Sequence, residues 1–401
     1  MRIACVGGGP AGLYFALLMK SRDSGHDISV FERCKVDSQY GWGVTLGKDV
    51  LDHLRSNDAE SAQKIERAGL RWDKQIVCFR GKETAYGGNE VCNISRQRLV
   101  DILADRARCL GVKIQYGHEV LSPDELPDAD LIVAADGAGS RIRQAAGNFQ
   151  TSIQEGNNKY IWLAATKVFH SFNYLFAWTH AGWVWAYAYG FGPELSTFIV
   201  ECSGETWDRL GLATMAEAEY LSLLERLFES HLSGHRLVGK FPDGTSAQWQ
   251  KYRTVTNKCW HDGNIVLLGD SAHTTHFSIG QGTRLAFDDA VTLVDNIRTK
   301  SNLEQALQAY ENQRRADLAL PLSRARRSAR WFENLPRYTA FEPPQFATLL
   351  HLRQSPLLRV LPPRLIYLLH QATERSSVLG GARGCLGQAA KVLYGRRGGT
   401  T

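Results

Sequence analysis

Between Asn264 and Ala290 the chain reads NIVLLGDSAHTTHFSIGQGTRLAFDDA, and its residue types suit a surface that holds a polar, negatively charged ligand. An apolar run, Ile265 to Leu268, ends at Gly269–Asp270, so a buried strand delivers a carboxylate able to accept from hydroxyl groups. Gly280 and Gly282 then flank Gln281, just ahead of a helix-like stretch carrying Asp288–Asp289. Glycines at that point clear side chains from the place where unpaired backbone N–H groups emerge, and a helix N-terminus favours negative charge. The competing reading is a glycine-rich C-cap between packed elements. His276 stands beside the loop with a side chain that titrates near neutrality, suited to polarising a phenol or aniline. A histidine bonded to backbone at the rim of a pocket is its alternative. Gln281 and Thr283 add hydrogen-bonding side chains.

A second constellation opens the chain. VGGGPAG places Gly7, Gly9 and Gly12 as GxGxxG directly after a strand and before a helix, with Pro10 and Ala11 in the first helical turn. The first glycine permits the tight turn, the second lets backbone approach a pyrophosphate, and the third allows close helix–strand packing. Glu32, at the end of the next strand and followed by Arg33, is spaced to accept from ribose hydroxyls. Only one such fingerprint occurs, so one dinucleotide is held tightly and any second nucleotide binds transiently.

The elements around these motifs follow from periodicity. Arg2–Val6, Ala11–Lys20 and Asp27–Phe31 read as a βαβ unit; Arg98–Leu110 has helical spacing; Lys113–Tyr116 and Asp130–Ala134 read as strands, the latter ending at Asp136–Gly137. From Lys159 to Cys202 the texture changes to four aromatic-rich alternating segments, read as an inserted antiparallel sheet. Residues 215–232 form an amphipathic helix with Tyr220, Leu224, Leu227 and Phe228 on one face, and helices follow Leu303. The tail GGARGCLGQAAKVLYGRRGGTT is expected to be mobile. These segments divide as 1–150, first part of a nucleotide-binding domain; 151–258, substrate domain; 259–320, second part of the nucleotide-binding domain; and 321–401, C-terminal helices and tail.

Bulk properties exclude several classes. The 401 residues are 44% hydrophobic and 22% charged, an ordinary globular composition. A net charge of +6 is interspersed, and no recognition motif accompanies it, so nucleic acid is not an expected partner. The eight cysteines form no CxxC pair, which argues for reduced thiols and no metal site. With no secretion signal and no window of the ~18 apolar residues a span needs, a cytoplasmic protein without membrane association is expected.

Three motifs in order, GxGxxG…Glu32, DGAGSRIR at 136–143 and GDSAHTTHFSIGQGT at 269–283, resemble the single-component FAD-dependent aromatic hydroxylases of the p-hydroxybenzoate hydroxylase fold. GWGV at 41–44, NNKYIW at 157–162, STFIVECSGETW at 196–207, WFEN at 331–334 and QFATLLHLR at 345–353 look like the branch that includes salicyloyl-CoA 5-hydroxylase, anthraniloyl-CoA monooxygenase and a violacein-pathway monooxygenase. The resemblance implies an α/β fold: a Rossmann-like FAD-binding domain with an inserted antiparallel β-sheet substrate domain and C-terminal helices. It implies FAD, reduced by NADPH or NADH and reacting with O2 at flavin C4a, the hydroperoxide passing an OH to an electron-rich ring. Asp270 would contact the ribityl–pyrophosphate region, Arg96 at a helix start would contact FAD, and Asp136, Gly137 and Arg143 would serve FAD and NAD(P)H. Gly280, Gln281, Gly282 and Thr283 would face the isoalloxazine, whose reduced form is an anion. The family's usual proline after its third-motif histidine segment is replaced here by Phe277–Ser278, as in this branch. Many CoA-ester members carry a fused reductase domain; a chain ending at 401 is expected to hydroxylate without a later ring reduction.

On the substrate side, Trp162, Trp178, Trp183, Trp185, Tyr187 and Tyr189 are read as alternating, one subset lining a pocket over the flavin and the other packing outward. For each, a plain core role competes. His276 and Phe277 would border that pocket, with His180 a further candidate; Lys159 would meet a substrate carboxylate or phosphate, and His273 would pack along the FAD chain. The expected substrate is an aryl compound presented as a salicyloyl- or anthraniloyl-type CoA or acyl-carrier-protein thioester. Its phosphates would be received by Arg324, Arg326, Arg327 and Arg330, for which a solvated helix face is the bland reading. A free tryptophan- or indole-derived metabolite is the alternative substrate. Competing functions are a flavin reductase or oxidase, and an FAD-fold protein that binds a ligand without turnover. The assembly is expected to be a monomer or homodimer.

Overall fold

The GxGxxG segment sits where two β-strands and a helix meet. In the computed structural model, which describes residues 1–36, 41–241 and 243–375, a six-stranded sheet runs in the order His261–Asp262, Ile265–Leu267, Leu131–Ala134, Arg2–Val6, Asp27–Glu32, Lys113–Tyr116. All neighbours are parallel except the first two, which form a hairpin. The C-terminal ends of Arg2–Val6, Leu131–Ala134 and Ile265–Leu267 therefore lie side by side, and each continues into one of the three motifs. Ligands of open α/β sheets bind outside such carboxyl ends. The helix Pro10–Arg22 is buried from Pro10 to Met19 because the sheet and the helix Gly282–Thr299 both cover it.

The second sheet has nine strands, in the order Leu237–Val238, Thr151–Ala165, Ser196–Ser203, Gly182–Gly190, Phe172–Thr179, Leu70–Phe79, Lys82–Ser95, Gly43–Gly47, with Gln250–Asn257 also paired to Thr151–Ala165. The four aromatic segments are thus four adjacent strands, and three further strands come from before residue 150. Their patterning is interrupted by a register shift between Trp72 and Lys74, which blurs the alternation in sequence. One expectation is corrected. Trp183, Trp185, Tyr187 and Tyr189 stand two residues apart, so all four share one face, together with Trp178 and Trp162, which lie opposite Trp183 and Ile199 on neighbouring strands. Val184, Ala186, Ala188 and Val200 take the other face and build an apolar core with Leu224 and Phe228. The helix expected over 215–232 breaks at Phe228 into Glu217–Leu227 and Glu229–Leu232.

Residues Met1–Glu333 form one compact unit, closed by the long helix Leu303–Glu333. The second unit begins at Asn334 and contains the helices Pro343–His351, Leu357–Val360 and Pro363–Arg375. The Gly/Arg-rich tail lies outside the described residues. No helix among the described residues is long and apolar enough to cross a membrane.

Candidate active site

At the first turn Gly7 has φ +112°, and a Cβ there would run into the Ala135 carbonyl; a Cβ at Gly12 would strike the Gly7 carbonyl oxygen. Both glycines are therefore needed for the chain to pack against itself. Gly9 is different: a Cβ would meet no atom within 4 Å. Its freedom faces open space, the place where a pyrophosphate would approach the helix start at Pro10–Ala11. Glu32 is held from both sides, Oε2 accepting from the Gly8 N–H at 2.7 Å and Oε1 from the Cys34 N–H at 2.8 Å. That fixes the carboxylate at the end of its strand; Arg33 beside it is exposed.

The second and third motifs are tied together by Arg143. Its guanidinium is buried and donates to the Ser271 carbonyl at 2.7 Å and the Ala138 carbonyl at 2.6 Å, a clamp between the two loops. It is thus turned into the protein, and burial lowers its pKa against the pull of Asp136. Asp136 accepts from the Arg141 N–H at 2.7 Å, while its second oxygen, Oδ1, is buried with no partner. Gly137 follows with φ +81°. Asp270 is open to solvent, yet protein crowds it and pushes its carboxyl pKa up, opposed by His273 and Arg96; such a group lies on the floor of a cleft. Arg96 opens the helix Arg96–Cys109, its N–H bonded to the Trp42 carbonyl at 2.7 Å.

His273 does not run along an open surface. Its Nε2 is 2.8 Å from Asp289 Oδ2, and its ring stacks on Trp260. Asp289 also accepts from Arg314 Nε at 2.7 Å and from the Gly269 N–H at 3.2 Å. Burial works to raise the Asp289 carboxyl, but His273 and Arg314 hold it below the ordinary range. This buried triad fixes the backbone that presents Asp270. Sequence spacing singled out neither Arg314 nor its partner role for Asp289.

The glycine loop matches its anticipated geometry. Gly280 has φ +62° and caps the short turn Phe277–Ile279; a Cβ there would meet nothing, and one at Gly282 only Thr275 Oγ1 at 3.8 Å. Gln281 is the N-cap of the 18-residue helix Gly282–Thr299 and makes no side-chain cap bond, so the first N–H groups, those of Gly282 and Thr283 included, have no intrahelical partner. An uncapped helix start over bare backbone, an orphaned carboxylate oxygen and the clearance at Gly9 together fit a bound dinucleotide with an anionic ring. His276 is buried, with Nδ1 at 2.8 Å from Ser278 Oγ and 3.3 Å from the Ser278 nitrogen, so one ring nitrogen serves the loop itself. Ser278 Oγ in turn lies 2.7 Å from Ser328 Oγ on the long helix.

Phe277 touches the aromatic face of the large sheet: its ring lies 4.8 Å from Tyr160 and 5.6 Å, edge-on, from Tyr187. Trp185 and Tyr187 are buried against Phe332. Trp162 packs beside Gly41 and Arg96, its Nε1 buried without a partner. Trp178 and His180 are not in this cluster. Trp178 is 65% exposed against Trp183, and His180 is exposed in the turn beyond the strand Phe172–Thr179. Lys159 lies on the opposite face, its ammonium 4.5 Å from the Trp207 ring centre. Three participants escaped the sequence: Tyr160, Tyr252, whose ring is 4.8 Å from that of His276, and Glu201. Glu201 sits in STFIVEC, and the cross-strand register that sets it opposite Trp185 places its side chain on the aromatic face.

A family model described as FAD binding domain matches residues 1–320. Salicyloyl-CoA 5-hydroxylase of Streptomyces sp is 36% identical over 359 residues, 86% of this chain and 68% of that protein. The 3-hydroxy-4-methyl-anthranilyl-[aryl-carrier protein] 5-monooxygenase of Streptosporangium sibiricum is 34% identical over 337 residues, 84% of this chain and 90% of its own. Among solved structures, 2-methyl-3-hydroxypyridine-5-carboxylic acid oxygenase superposes with a TM-score of 0.67 at 21% identity, covering 91% of this chain and 95% of its own, a likeness of fold.

Proposed function

The chain belongs to the FAD binding domain family and is a flavin-dependent aromatic monooxygenase, and on that premise we propose that its substrate is a salicylate- or anthranilate-type ring carried as a thioester of coenzyme A or of a carrier protein. The observation that carries the thioester reading is the likeness, over more than four-fifths of the chain, to two enzymes whose names specify such carriers. Arg324 and Arg326 support it: they are exposed on the long helix whose buried side, Ala325 and Ser328, backs the Phe277–Ile279 turn. Phosphates of a pantetheine arm would find cations there.

A bound FAD would supply the redox chemistry, reduction by NADH or NADPH and activation of O2; binding it, orienting the substrate and excluding water fall to the chain's own residues. Gly7, Gly9, Pro10, Ala11 and Gly12 receive the pyrophosphate at the helix start, and Glu32, with Arg33 beside it, takes the adenosine ribose. Arg96, Asp136, Gly137 and Asp270 line the middle of the cofactor, and Arg143 holds their two loops in register. Gln281, Gly282 and Thr283 offer N–H groups to the ring edge that gains charge, while Gly280, whose own N–H donates to the Phe277 carbonyl at 2.9 Å, keeps the approach clear of a side chain. Phe277, Tyr187, Trp185 and Trp162 form the dry side of the site, which matters because water there diverts reducing equivalents to H2O2. His276, with Nδ1 engaged by Ser278 and its ring packed on Phe277 and Tyr252, orients the loop.

The test is a panel of salicyloyl-CoA, anthraniloyl-CoA, carrier-tethered anthranilate, free acids and tryptophan derivatives, scored by substrate-stimulated flavin reduction and by oxygenated product. Thioesters are expected to accelerate reduction most. Stimulation by free acids alone ends the thioester reading, and stimulation by tryptophan derivatives alone moves the substrate to the indole class.

A further inference from the structure

Glu201 is 1% exposed in the middle of an aromatic sheet face. Its Oε2 accepts from the Tyr187 hydroxyl at 2.6 Å and from Trp185 Nε1 at 3.1 Å, and its Oε1 accepts from Asn158 Nδ2 at 2.7 Å. An apolar residue would fill this position without the cost of burying a carboxyl. What the carboxyl adds is a common acceptor for donors on two neighbouring strands. Of these donors Tyr187 meets Phe277 of the cofactor-facing loop, and Trp185 meets Phe332 on the long helix behind it. Tyr187 stands edge-on to Phe277 and to Phe332, and Trp185 stacks on Phe332 with a 15° interplanar angle. Phe277 lies three residues before Gly280.

We propose that Glu201 is the positioning acid of the hydroxylation site: by accepting from Tyr187 and Trp185 it holds the aromatic seat on which Phe277, and with it the Gly280–Thr283 loop, rests. It touches no reacting atom; it acts through Tyr187.

This role makes the seat sensitive to pH. Burial pushes the Glu201 carboxyl up to about 7, hydrogen bonds from Tyr187, Asn158 and Trp185 pull it back, and Glu333 at the end of the long helix pushes it further up. Tyr187, the titratable group facing it from the next strand, stays neutral throughout, its phenol raised well above 10 by burial and by Glu201. The ionised carboxyl serves all three donors. The protonated one must donate from one oxygen and serves its three donors less well, Trp185 Nε1 retaining its 3.2 Å contact to the Tyr187 hydroxyl, so the seat loosens. From such a midpoint, Glu201 is about nine-tenths ionised at pH 8 and about one-tenth at pH 6. Hydroxylation should then be best coupled on the alkaline side.

The experiment measures product formed per NAD(P)H consumed between pH 6 and 8, in the parent holoenzyme and in Glu201→Gln, beside a difference-infrared titration of the protonated carboxyl band. The inference rests on the monooxygenase reading and not on the thioester. In the parent we expect the ratio to fall by about threefold or more from pH 8 to pH 6, within the roughly ninefold fall of the ionised fraction. Glu201→Gln keeps one acceptor oxygen, donates from the other position as the protonated acid does, and does not titrate, so its ratio should be flat near the parent's acid-side value and the infrared band absent. An equal slope in parent and variant overturns the role, and so does a parent without a carboxyl titrating near neutrality. Failure of the thioester reading looks different, as a parent that no thioester stimulates at any pH, and the infrared arm then still decides. Should Glu201→Gln not fold, Tyr187→Phe takes its place: removing the shortest donor should raise the midpoint, and an unmoved midpoint overturns the inference.

Discussion

The two sheets build their halves of the site by opposite means. At the carboxyl ends of the parallel strands the working parts are backbone: helix starts after Gly9 and at Gly282, with Gly280 clearing the approach, where an added Cβ would meet nothing nearer than Thr275 Oγ1 at 3.8 Å. On the antiparallel sheet the working parts are side chains, and they act only because cross-strand register puts Tyr187, Trp185 and Glu201 together. Such a backbone site needs few partners, and at Gly7 and Gly12, where it packs on itself, it tolerates no added atom. A side-chain site tolerates exchange at its margin and fails at its buried polar centre. Substitutions that behave otherwise would break that contrast.

The largest effect is expected at Gly12. A valine there would drive its side chain into the Gly7 carbonyl, the Cys5 sulfur and Ala135, all of them in the packed turn. Gly12→Val should yield protein that neither retains FAD nor shows the parent melting transition, read from the flavin absorption of purified material and from calorimetry. Yellow protein with the parent Tm would mean that this turn is looser than a packed backbone site.

Next comes the brace beneath Asp270. Asp289→Ala leaves the buried Arg314 Nε and the Gly269 N–H without their acceptor, the guanidinium keeping only longer contacts to Asp317 and the Leu285 carbonyl. Breaking one side of a buried pair costs about 3–5 kcal/mol, measurable by denaturant unfolding, and FAD affinity should weaken with it. Asp289→Ala combined with Arg314→Leu should recover part of the loss, because the stranded charge goes too. An additive double variant would show that the two side chains do not depend on each other.

That contrast also explains what could be read from the sequence. The glycine motifs were legible because the constraint on each is local: a strand, a turn and a helix start within a dozen residues, as at Gly7–Gly12 and Gly280–Thr283. The aromatic strands were legible as strands, and the period of two along Gly182–Gly190 already implied one face for Trp183, Trp185, Tyr187 and Tyr189; that Trp162 and Trp178 join it depends on the cross-strand register. Glu201 was hidden because its meaning lies in residues 14 and 43 positions away, Tyr187 and Asn158. Arg143 was assigned to cofactor contact by resemblance, and its buried clamp between the Ser271 and Ala138 carbonyls depends on a separation of 128 residues that no pattern encodes. His273 and Arg314 needed the same long-range knowledge. The strands Leu70–Phe79 and Lys82–Ser95 were missed because their alternation is interrupted at the register shift.

The smallest effect is expected at Trp178, and it marks where the side-chain site ends. Trp178 shares the face of Trp185 and Tyr187, so sequence alternation gives it the same standing. Its indole, however, is 65% exposed and meets Trp183 edge-on at 5.2 Å, far along the strand from Phe277 and Phe332. An exposed edge-on pair contributes about 0.5–1.5 kcal/mol at most, and surface substitutions usually stay within ~0.5 kcal/mol. Trp178→Ser should therefore leave product per NAD(P)H unchanged and shift the unfolding midpoint only slightly. A loss of coupling comparable to that of a Tyr187 variant would extend the site to the tip of the hairpin, and the boundary between wall and surface would have to move beyond Trp183.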